Sequence, residues 1–330
     1  MMPHDATIAD RLLVESPISD ERAADERVAF RESVLAGLGR PQKTLECKYL
    51  YDARGSTLFD EICQLPEYYP TRTETAILEE RAAAIAEAAG PGAELVELGS
   101  GASIKSRILL SALDRPARYL PLDIAVDHMR AATASLASLY PGLAVEPVAA
   151  DFSTPFDLPP RRGPGKRLLF FPGSTIGNFD RVEAERLLAR LRQDLQADLF
   201  VVGVDLRKDA RVLHDAYDDA AGVTAAFNLN LLTRINQELR AEFDLARFRH
   251  HARVDGRLGR VEMHLVSLVD QQVRVGDRYF AFAAGETIHT ENSHKYAIDE
   301  FIALAARAGW TGDTVWTDAK RLFSVHLLRR

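Results

Sequence analysis

Short apolar runs alternate with amphipathic stretches through the middle of the chain. In the stretches, apolar residues recur every three to four positions, which is the period of a helix that packs on one face. The runs have the length of buried strands and lie at 93–98, 118–123, 143–151, 166–173 and 197–205. Five strands separated by helices predict an α/β fold with a parallel, doubly wound, Rossmann-like sheet.

Two of the predicted helices carry local end signals. The apolar period from 75 to 89 stops at Gly90, and the proline that follows cannot continue a helix. Asp180 with Glu183 three residues later predicts a capped helix start, and the apolar period then continues to Leu195.

The alternation stops after residue 205. Two helical stretches follow each other directly, and β-like runs then lie at 248–253, 258–269, 271–283 and 286–290. Without helices between them, these runs are expected to pair antiparallel. A helix at 298–308 and two short strands end the chain. The pattern therefore predicts an α+β lobe inserted after the fifth strand.

This reading divides the chain into two domains and a leader. The sheet domain is predicted to comprise 73–207 and 297–330, and the second lobe 14–72 and 208–296. Residues 1–13 are polar and are expected to form a flexible leader.

Composition and charge narrow the class of protein. The 330 residues are 47% hydrophobic and 27% charged, as is typical of a globular protein. The net charge of −7 repels phosphate backbones, so no nucleic-acid partner is expected. No apolar run reaches the roughly 20 residues of a membrane span, and the N-terminus lacks a signal-peptide pattern. We expect a cytoplasmic monomer that acts on a small molecule and has no membrane partner.

Metal chemistry is not indicated by the spacing of its usual ligands. Cys47 and Cys63 form no CxxC pair and are expected to be reduced thiols. The histidines show no HExxH spacing, and the adjacent His250 and His251 point apart on a helix or a strand. No metal site is therefore predicted.

A glycine-rich turn follows the first predicted strand. Glu97, Gly99, Ser100 and Gly101 lie there, at the sheet edge where ligands bind in such folds. Glycines allow close approach of the backbone to a ligand, and the acid can accept hydrogen bonds. The alternative interpretation is a tight strand-to-helix turn without a ligand.

Other residues decide which cofactor suits this turn. A dinucleotide fingerprint needs glycine or alanine at position 104, where this chain has Ile104. A nucleoside without phosphates would use carboxylates instead: Asp123 ends the second strand and suits ribose hydroxyls, while Asp151 ends the third and suits the adenine amino group. Phe152 would lie beside the ring. The pattern favours S-adenosylmethionine, although each acid alone could be a solvated strand end or a helix cap.

Several separated strings are more specific than the glycine turn. They are LYDARGSTLFDEICQLPEYYPTR, ELGSG, FPGSTIGNF, DLRKD followed by AYDDAAGVTAAFN, RVEMHL and AGETIHTENSHKY. On these strings, the chain from about Lys48 to its C-terminus resembles the histidine-specific Nα-methyltransferases of ergothioneine biosynthesis. The resemblance implies a class I methyltransferase sheet with a substrate lobe, and three methyl transfers from S-adenosylmethionine that convert L-histidine to hercynine through mono- and dimethyl intermediates and release S-adenosylhomocysteine.

The resemblance also implies roles for individual residues. Cofactor contacts are implied for Lys105, for Gly173 in FPGSTIGNF, and for the turn and acids already named. In the substrate site, Tyr51 would lie beside the α-amino group as the catalytic residue. The other implied substrate-binding residues are Asn178 and Tyr217 for the α-carboxylate, Glu291 and Ser293 for the two imidazole nitrogens, Tyr68 for the ring directly or through water, and Met263 for the ring pocket.

Without the resemblance, packing roles would explain these residues. Tyr51 and Tyr68 would be half-buried packing residues, Met263 a core filler, and Glu291 with Ser293 a capping pair before the helix at 298. Asn292, His294 and Leu50 depart from the family pattern and bear on fine substrate preference.

Three other functions compete with histidine methylation. The first is formation of the betaine of tryptophan or tyrosine, the second a non-catalytic S-adenosylmethionine-binding module, and the third an NAD-dependent dehydrogenase. Ile104 argues against the third.

Overall fold

The computed structural model describes residues 18–101 and 104–330. The predicted leader 1–13 and the first residues of the predicted second lobe, 14–17, lie outside the described residues. The Ile104 side chain, which entered the choice of cofactor, lies outside them as well.

The N-terminal part contains helices and a very short strand. Its elements are α1 (Ile18–Leu38), β1 (Lys43–Thr44), a 3-10 turn (Cys47–Leu50), α2 (Ala53–Ile62) and α3 (Tyr69–Ala89). Helix α2 begins at Asp52, whose carboxylate accepts a hydrogen bond from the Gly55 N–H at 2.7 Å. Helix α3 ends at Gly90 with φ +73°, as the sequence predicts.

The alternating part of the chain forms strands and helices in the predicted order. They are β2 (Glu94–Leu98), α4 (Ile104–Ala112), β3 (Arg118–Asp123), α5 (Val126–Leu139), β4 (Ala144–Val145), β5 (Val148–Ala149), β6 (Arg167–Phe171), a 3-10 turn (Thr175–Asn178), α6 (Arg181–Asp194) and β7 (Leu199–Asp205). The predicted capping box is present, because Asp180 and Glu183 each accept from the other's backbone N–H.

One predicted strand is wrong in its extent. The run 143–151 forms two strands of two residues each, because Pro147 lies between them and has no N–H for a ladder. The Glu146 N–H still donates to Tyr119 O at 2.9 Å, so the segment stays beside β3.

The inserted part combines two helices with antiparallel strands. Its elements are α7 (Ala210–Tyr217), α8 (Val223–Leu239), a 3-10 turn (Leu245–Arg247), β8 (Phe248–Asp255), β9 (Arg260–Ser267), β10 (Gln271–Val275), β11 (Arg278–Phe282) and β12 (Thr287–His294). The predicted run 271–283 is a hairpin that turns at Gly276, where φ is +61°. The strand predicted at 286–290 continues to His294, so Glu291 and Ser293 lie in a strand and not in a helix cap. The chain ends with α9 (Ile298–Arg307), β13 (Thr311–Thr317) and β14 (Phe323–Arg329).

The large sheet has the strand order β13-β14-β7-β6-β2-β3-β4, with β5 also paired to β3. Strands β2, β3, β6 and β7 are parallel, whereas β14 is antiparallel to β7. Alternate residues face opposite layers: Leu168 and Phe170 belong to a core with α3 and α4, and Leu169 and Phe171 to a core with α6 and α9. The predicted doubly wound sheet of a class I methyltransferase fold is confirmed.

A smaller sheet, in the order β1-β12-β9-β8, joins β1 of the N-terminal part to three strands of the inserted part. Its core includes side chains from α1, α2, α7 and α8, so the N-terminal segment and the insertion pack together. Within the described ranges, no helix is both long and apolar enough to cross a membrane.

The insertion leaves and re-enters the large sheet at one place. Leu206 and Tyr296 form a parallel bridge, Tyr296 N donates to Asp205 O at 3.1 Å, and Arg207 N donates to Tyr296 O at 3.0 Å. The start and the end of the inserted segment are therefore hydrogen-bonded neighbours beside the carboxyl end of β7.

Candidate active site

The glycine turn lies at the carboxyl end of β2. Gly99 and Gly101 have φ of +70° and +45°, a left-handed conformation that glycine adopts without strain. Gly99 N donates to Leu122 O at 2.8 Å, and Gly101 N donates to Asp123 Oδ2 at 3.0 Å. Ser100 Oγ is buried and has no hydrogen-bond partner in the described structure. The turn is held to β3 while one buried hydroxyl stays available.

The structure brings the other predicted cofactor residues to the same edge. Asp123 Oδ1 accepts from the Ala125 N–H at 2.9 Å, and Asp151 Oδ2 accepts from Lys48 Nζ at 3.0 Å. A Cβ placed on Gly99 would lie 3.6 Å from Phe152 Cε1, so this ring stands beside the turn. Their predicted contacts with ribose and adenine stay predictions.

Glu97 differs from the other acids because its hydrogen bonds lead into the protein. The hydroxyls of Ser106 and Tyr119 both donate to its Oε2, and the side chain is buried. Desolvation raises the pKa of Glu97 to about 7, against the lowering effect of these two donors. Its predicted cofactor contact stays a prediction.

Lys105 and Gly173 meet at a residue that sequence reasoning missed. Lys105 Nζ pairs with Glu74 Oε2, which also accepts from the Gly173 N–H at 2.8 Å. Glu74 is fully buried on α3, and a Cβ on Gly203 would lie 1.9 Å from its Oε1. Local pattern could not identify Glu74, because its partners come from α4, β7 and the loop after β6.

The residues at this edge fit S-adenosylmethionine. Ser100 Oγ is a buried polar atom without a partner in the described part of the chain, and such an atom favours a ligand. The left-handed glycines keep the backbone open to close approach, and Phe152 offers an aromatic face beside them. Lys105 adds a cation and Asp123 a carboxylate, which match the charged and hydroxyl groups of this cofactor.

A cavity between the N-terminal segment and the inserted part encloses about 280 Å³ of empty space, part of it open to solvent. Five of the predicted substrate residues line it. The lining residues are Tyr51, Phe59, Ile62, Tyr68, Ala216, Tyr217, Thr224, Phe227, Met263 and Glu291.

Aromatic rings form much of the cavity wall. Tyr51 packs edge-on against Phe227 with centroids 5.5 Å apart, and Tyr68 packs edge-on against Tyr217 at 6.2 Å. Burial raises the pKa of the Tyr51 and Tyr68 phenols well above 10. Both phenols therefore keep their protons at neutral pH.

Glu291 is the acidic group of this cavity. Its half-buried carboxylate has a pKa raised to about 7 by desolvation, while the nearby Lys295 acts in the opposite direction. Met263 lies opposite Glu291 in the register of β9 and β12, so strand pairing places both at one end of the cavity.

Ser293 and Asn178 do not line this cavity in the described structure, but both lie close to it. Ser293 Oγ is 2.7 Å from Tyr217 Oη. Asn178 is half-buried at the end of the turn 175–178, and a Cβ on the preceding Gly177 would lie 2.8 Å from His294 O. The turn after β6 thus packs directly on β12. The substrate roles of both residues stay predictions.

The departures from the family pattern lie beside these groups. Strand alternation turns Asn292 and His294 away from the face that carries Glu291 and Ser293, and Asn292 contacts His289. Burial lowers the pKa of His294 to about 4, so this side chain is neutral at pH 7.

A buried polar network was also missed. Asp205 Oδ2 lies 2.7 Å from Lys295 Nζ, its Oδ1 lies 2.5 Å from Lys208 Nζ, and Tyr69 Oη donates to both oxygens. The rule that singled out Asp123 and Asp151 could have found Asp205, since it also ends a parallel strand. No sequence signal indicated that Lys295 is buried.

The cofactor edge and the cavity share helix α3 and the loop after β6. Tyr68 caps α3 and Glu74 lies six residues later, which is roughly 9 Å along a helix axis. In the loop, Gly173 N donates to Glu74, and the Ser174 hydroxyl accepts from the Asp205 N–H at 2.9 Å. The two sites are therefore adjacent.

Comparisons with known proteins show which family the sequence is similar to. A family model described as histidine-specific methyltransferase, SAM-dependent, matches residues 30–330. The histidine N-alpha-methyltransferase of Mycolicibacterium smegmatis is 44% identical over 315 residues, covering 93% of this chain and 97% of the relative. That of Mycobacterium tuberculosis is 41% identical over 306 residues, covering 91% and 94%. Ergothioneine biosynthesis protein 1 of Neurospora crassa is 29% identical and covers 90% of this chain but 34% of the relative.

Proposed function

The chain belongs to the family of SAM-dependent, histidine-specific methyltransferases, and we propose that it methylates the α-nitrogen of L-histidine three times to give hercynine. The observation that carries the proposal is the cavity next to the cofactor edge. It combines aromatic walls with the Glu291 carboxylate and lies beside the Tyr217–Ser293 hydroxyl pair. An acid and a hydroxyl suit an imidazole, which has one donor and one acceptor nitrogen when neutral.

The cofactor is assigned to the glycine turn and the acids beside it. Gly99, Ser100 and Gly101 would hold its methionine part with Lys105 and Gly173, while Asp123, Asp151 and Phe152 would hold its nucleoside. When bound, S-adenosylmethionine supplies a methyl group already activated by a sulfonium.

The substrate is assigned to the cavity and its rim. Glu291 would accept from one ring nitrogen and Ser293 would contact the other, while Tyr68 and Met263 close the ring pocket. Asn178 would bind the α-carboxylate, while Tyr217 lines the pocket and would hold Ser293 through their shared hydrogen bond. A polar pocket of this kind rejects isosteres that leave its buried groups unpaired.

Tyr51 is assigned to the α-amino group. The nucleophile must be the neutral amine, and an α-amino group with a pKa of about 8 is mostly protonated at pH 7. The Tyr51 phenol keeps its own proton because burial raises its pKa. It therefore orients the amine through its oxygen, and the proton leaves to water. Positioning of the reacting groups supplies much of the catalysis, about 7 kcal/mol in favourable cases.

Mass spectrometry of product mixtures tests the proposal. Purified protein is incubated with S-adenosylmethionine and, in separate reactions, with histidine, tryptophan and tyrosine. We expect histidine alone to gain three methyl groups, with mono- and dimethyl species as intermediates. Methylation of another amino acid in place of histidine would overturn the substrate assignment, and cofactor binding without any transfer would indicate a binding module.

We also propose that the enzyme acts as a monomer in the cytoplasm. Cys47 and Cys63 are free thiols, which suits a reducing compartment. The exposed large apolar side chains of the described residues lie on different elements, including Val28 on α1, Val182 on α6 and Tyr279 on β11. Sedimentation analysis that showed a stable dimer would contradict the monomer.

A further inference from the structure

Lys295 is a buried lysine that donates hydrogen bonds to three other buried side chains. Its side chain is 1% exposed, and its ammonium has three protons to donate. The acceptors are Asp205 Oδ2 at 2.7 Å, Tyr217 Oη at 2.9 Å and Ser293 Oγ at 2.7 Å. Each proton thus has one acceptor, and two of the three acceptors are hydroxyls at the proposed substrate site.

The donations of Lys295 limit what these two hydroxyls can present. Both oxygens accept from Lys295, and they lie 2.7 Å apart, so one hydroxyl donates to the other. Two hydroxyls carry two protons, and one of these is used between them. The Tyr217–Ser293 pair is therefore left with a single proton that can point to a ligand.

The charge around the hydroxyl pair also disfavours a positively charged ligand group. Lys295 and Lys208 share the single carboxylate of Asp205, so this buried group carries one net positive charge when both lysines are protonated. On the cavity side, Glu291 is the carboxylate that faces Lys295. Among the described residues, other titratable groups near Lys295, Tyr217 or the cavity include Tyr51, Tyr68, Tyr69, Cys47, Cys63, Arg181, Asp218, Asp219, His250 and His294.

On the basis of the proposed function, we propose that Lys295 is a positioning residue that makes the site select the neutral imidazole of histidine. Held by Lys295, Tyr217 donates to Ser293, so the pair offers the Ser293 proton, which the unprotonated ring nitrogen accepts while the other nitrogen donates to Glu291. An imidazolium would need Ser293 to accept instead, which reverses both hydroxyls, and it would bring a second cation next to the Lys295 ammonium.

The ratio of the kcat/KM values of two substrates isolates the effect of ring protonation. The kcat/KM of histidine is divided by that of β-(1,2,4-triazol-3-yl)alanine, whose ring is a much weaker base and stays neutral. Glu291 would accept from a ring N–H in both substrates, so its ionisation, like that of the cofactor site, affects both and cancels in the ratio. Since an imidazole has a pKa of about 6.5, we expect the wild-type ratio to fall about tenfold from pH 7.5 to pH 5.5.

Lys295 and Lys208 both pair with the Asp205 carboxylate, but only Lys295 contacts the hydroxyl pair. Substituting each lysine in turn separates these two roles. In Lys295→Met the hydroxyls can accept from an imidazolium, so we expect the ratio to change less than threefold over this range. Lys208→Met is the matched control, because Lys208 donates to Asp205 and Tyr69 and does not contact the hydroxyl pair. It is expected to keep the tenfold fall. Lys295→Gln, which keeps a donor without the charge, serves if the Met variant does not fold and should show an intermediate fall.

The outcomes separate this inference from the proposed function. A wild-type protein that methylates no histidine overturns both. A wild-type enzyme that methylates histidine with a ratio independent of pH overturns only the selection of the neutral ring. A tenfold fall that persists in Lys295→Met, or a loss of the fall in Lys208→Met as well, shows that Lys295 does not act through the hydroxyl pair.

Discussion

Lys48 Nζ lies 3.0 Å from Asp151 Oδ2, so the segment just before Tyr51 is tied by an ion pair to the cofactor edge of the large sheet. Lys48 belongs to the 3-10 turn 47–50, and Asp151 follows β5. The pair thus connects the segment that leads to Tyr51, which is assigned to the substrate amine, with Asp151, which is assigned to adenine.

We expect Lys48→Met to weaken both ligands moderately. Both side chains are partly exposed, so the pair contributes at most about 1 kcal/mol, which corresponds to an increase of up to about fivefold in either KM. Steady-state kinetics with each substrate varied measures the effect. Lys43→Met is the control, since Lys43 pairs with Glu286 in the smaller sheet. Equal behaviour of the two variants would argue against a link between the sites.

Glu291→Gln should affect histidine and spare the cofactor. A hydrogen bond to a charged group contributes about 1.5–3 kcal/mol, so the Kd of histidine is expected to rise about 10- to 100-fold. Isothermal titration calorimetry with each ligand gives both affinities, and the surface variant Glu185→Gln on α6 controls for the substitution itself. Similar losses for histidine and cofactor would contradict the placement of Glu291 in the substrate cavity.

Glu97 should make stability depend on pH. Its pKa is raised in the folded protein from 4.5 to about 7, so the charged form is disfavoured by folding. The stability that the protonated form provides is present below pH 4.5 and is lost as the pH rises through 7. At about 1.4 kcal/mol per pKa unit, the loss amounts to up to about 3 kcal/mol.

Glu97→Gln removes this loss, because an amide does not titrate. The free energy of unfolding of the ligand-free variant, relative to wild type, is expected to rise between pH 4.5 and pH 8. Denaturant titrations at several pH values measure it, and the exposed Glu80→Gln on α3 controls for loss of a carboxylate. A difference that stays constant or falls with pH would refute the role given to burial.

Gly177→Ala tests the contact between the turn after β6 and β12. The added Cβ would lie 2.8 Å from His294 O, so either the turn or the strand must move. Because Asn178 and Ser293 lie on the two sides of this contact, we expect the KM of histidine to rise about tenfold or more. Gly142→Ala is the control, since a Cβ there meets nothing within 4 Å. An unchanged KM in Gly177→Ala would show that the contact does not position the substrate groups.

The sequence alone predicts the large sheet well for a physical reason. Parallel strands buried on both faces consist of continuous apolar runs, and β6 is the clearest case. The run 143–151 is harder to interpret, because the effect of Pro147 depends on which neighbour the strand meets. The hairpin at 271–283 also looks like one run, since a single glycine marks its turn.

The site is less accessible to sequence reasoning than the fold. Local pattern assigns Glu291 and Ser293 to a helix cap, and only the family resemblance indicates that they face a ligand. Lys295 and Glu74 have no local signal, because most of their partners are far away in sequence; Lys295 and Tyr217, for example, are 78 residues apart. Such residues become recognisable only when the chain is folded and their burial is known.

The bridge between Leu206 and Tyr296 has a consequence for how such enzymes can diversify. Because the inserted segment starts and finishes at one point of the large sheet, residues can be gained, lost or exchanged within it without altering the spacing of the parallel strands. Evolution can therefore remodel the inserted segment, which lines one side of the proposed acceptor cavity, while the large sheet is inherited unchanged.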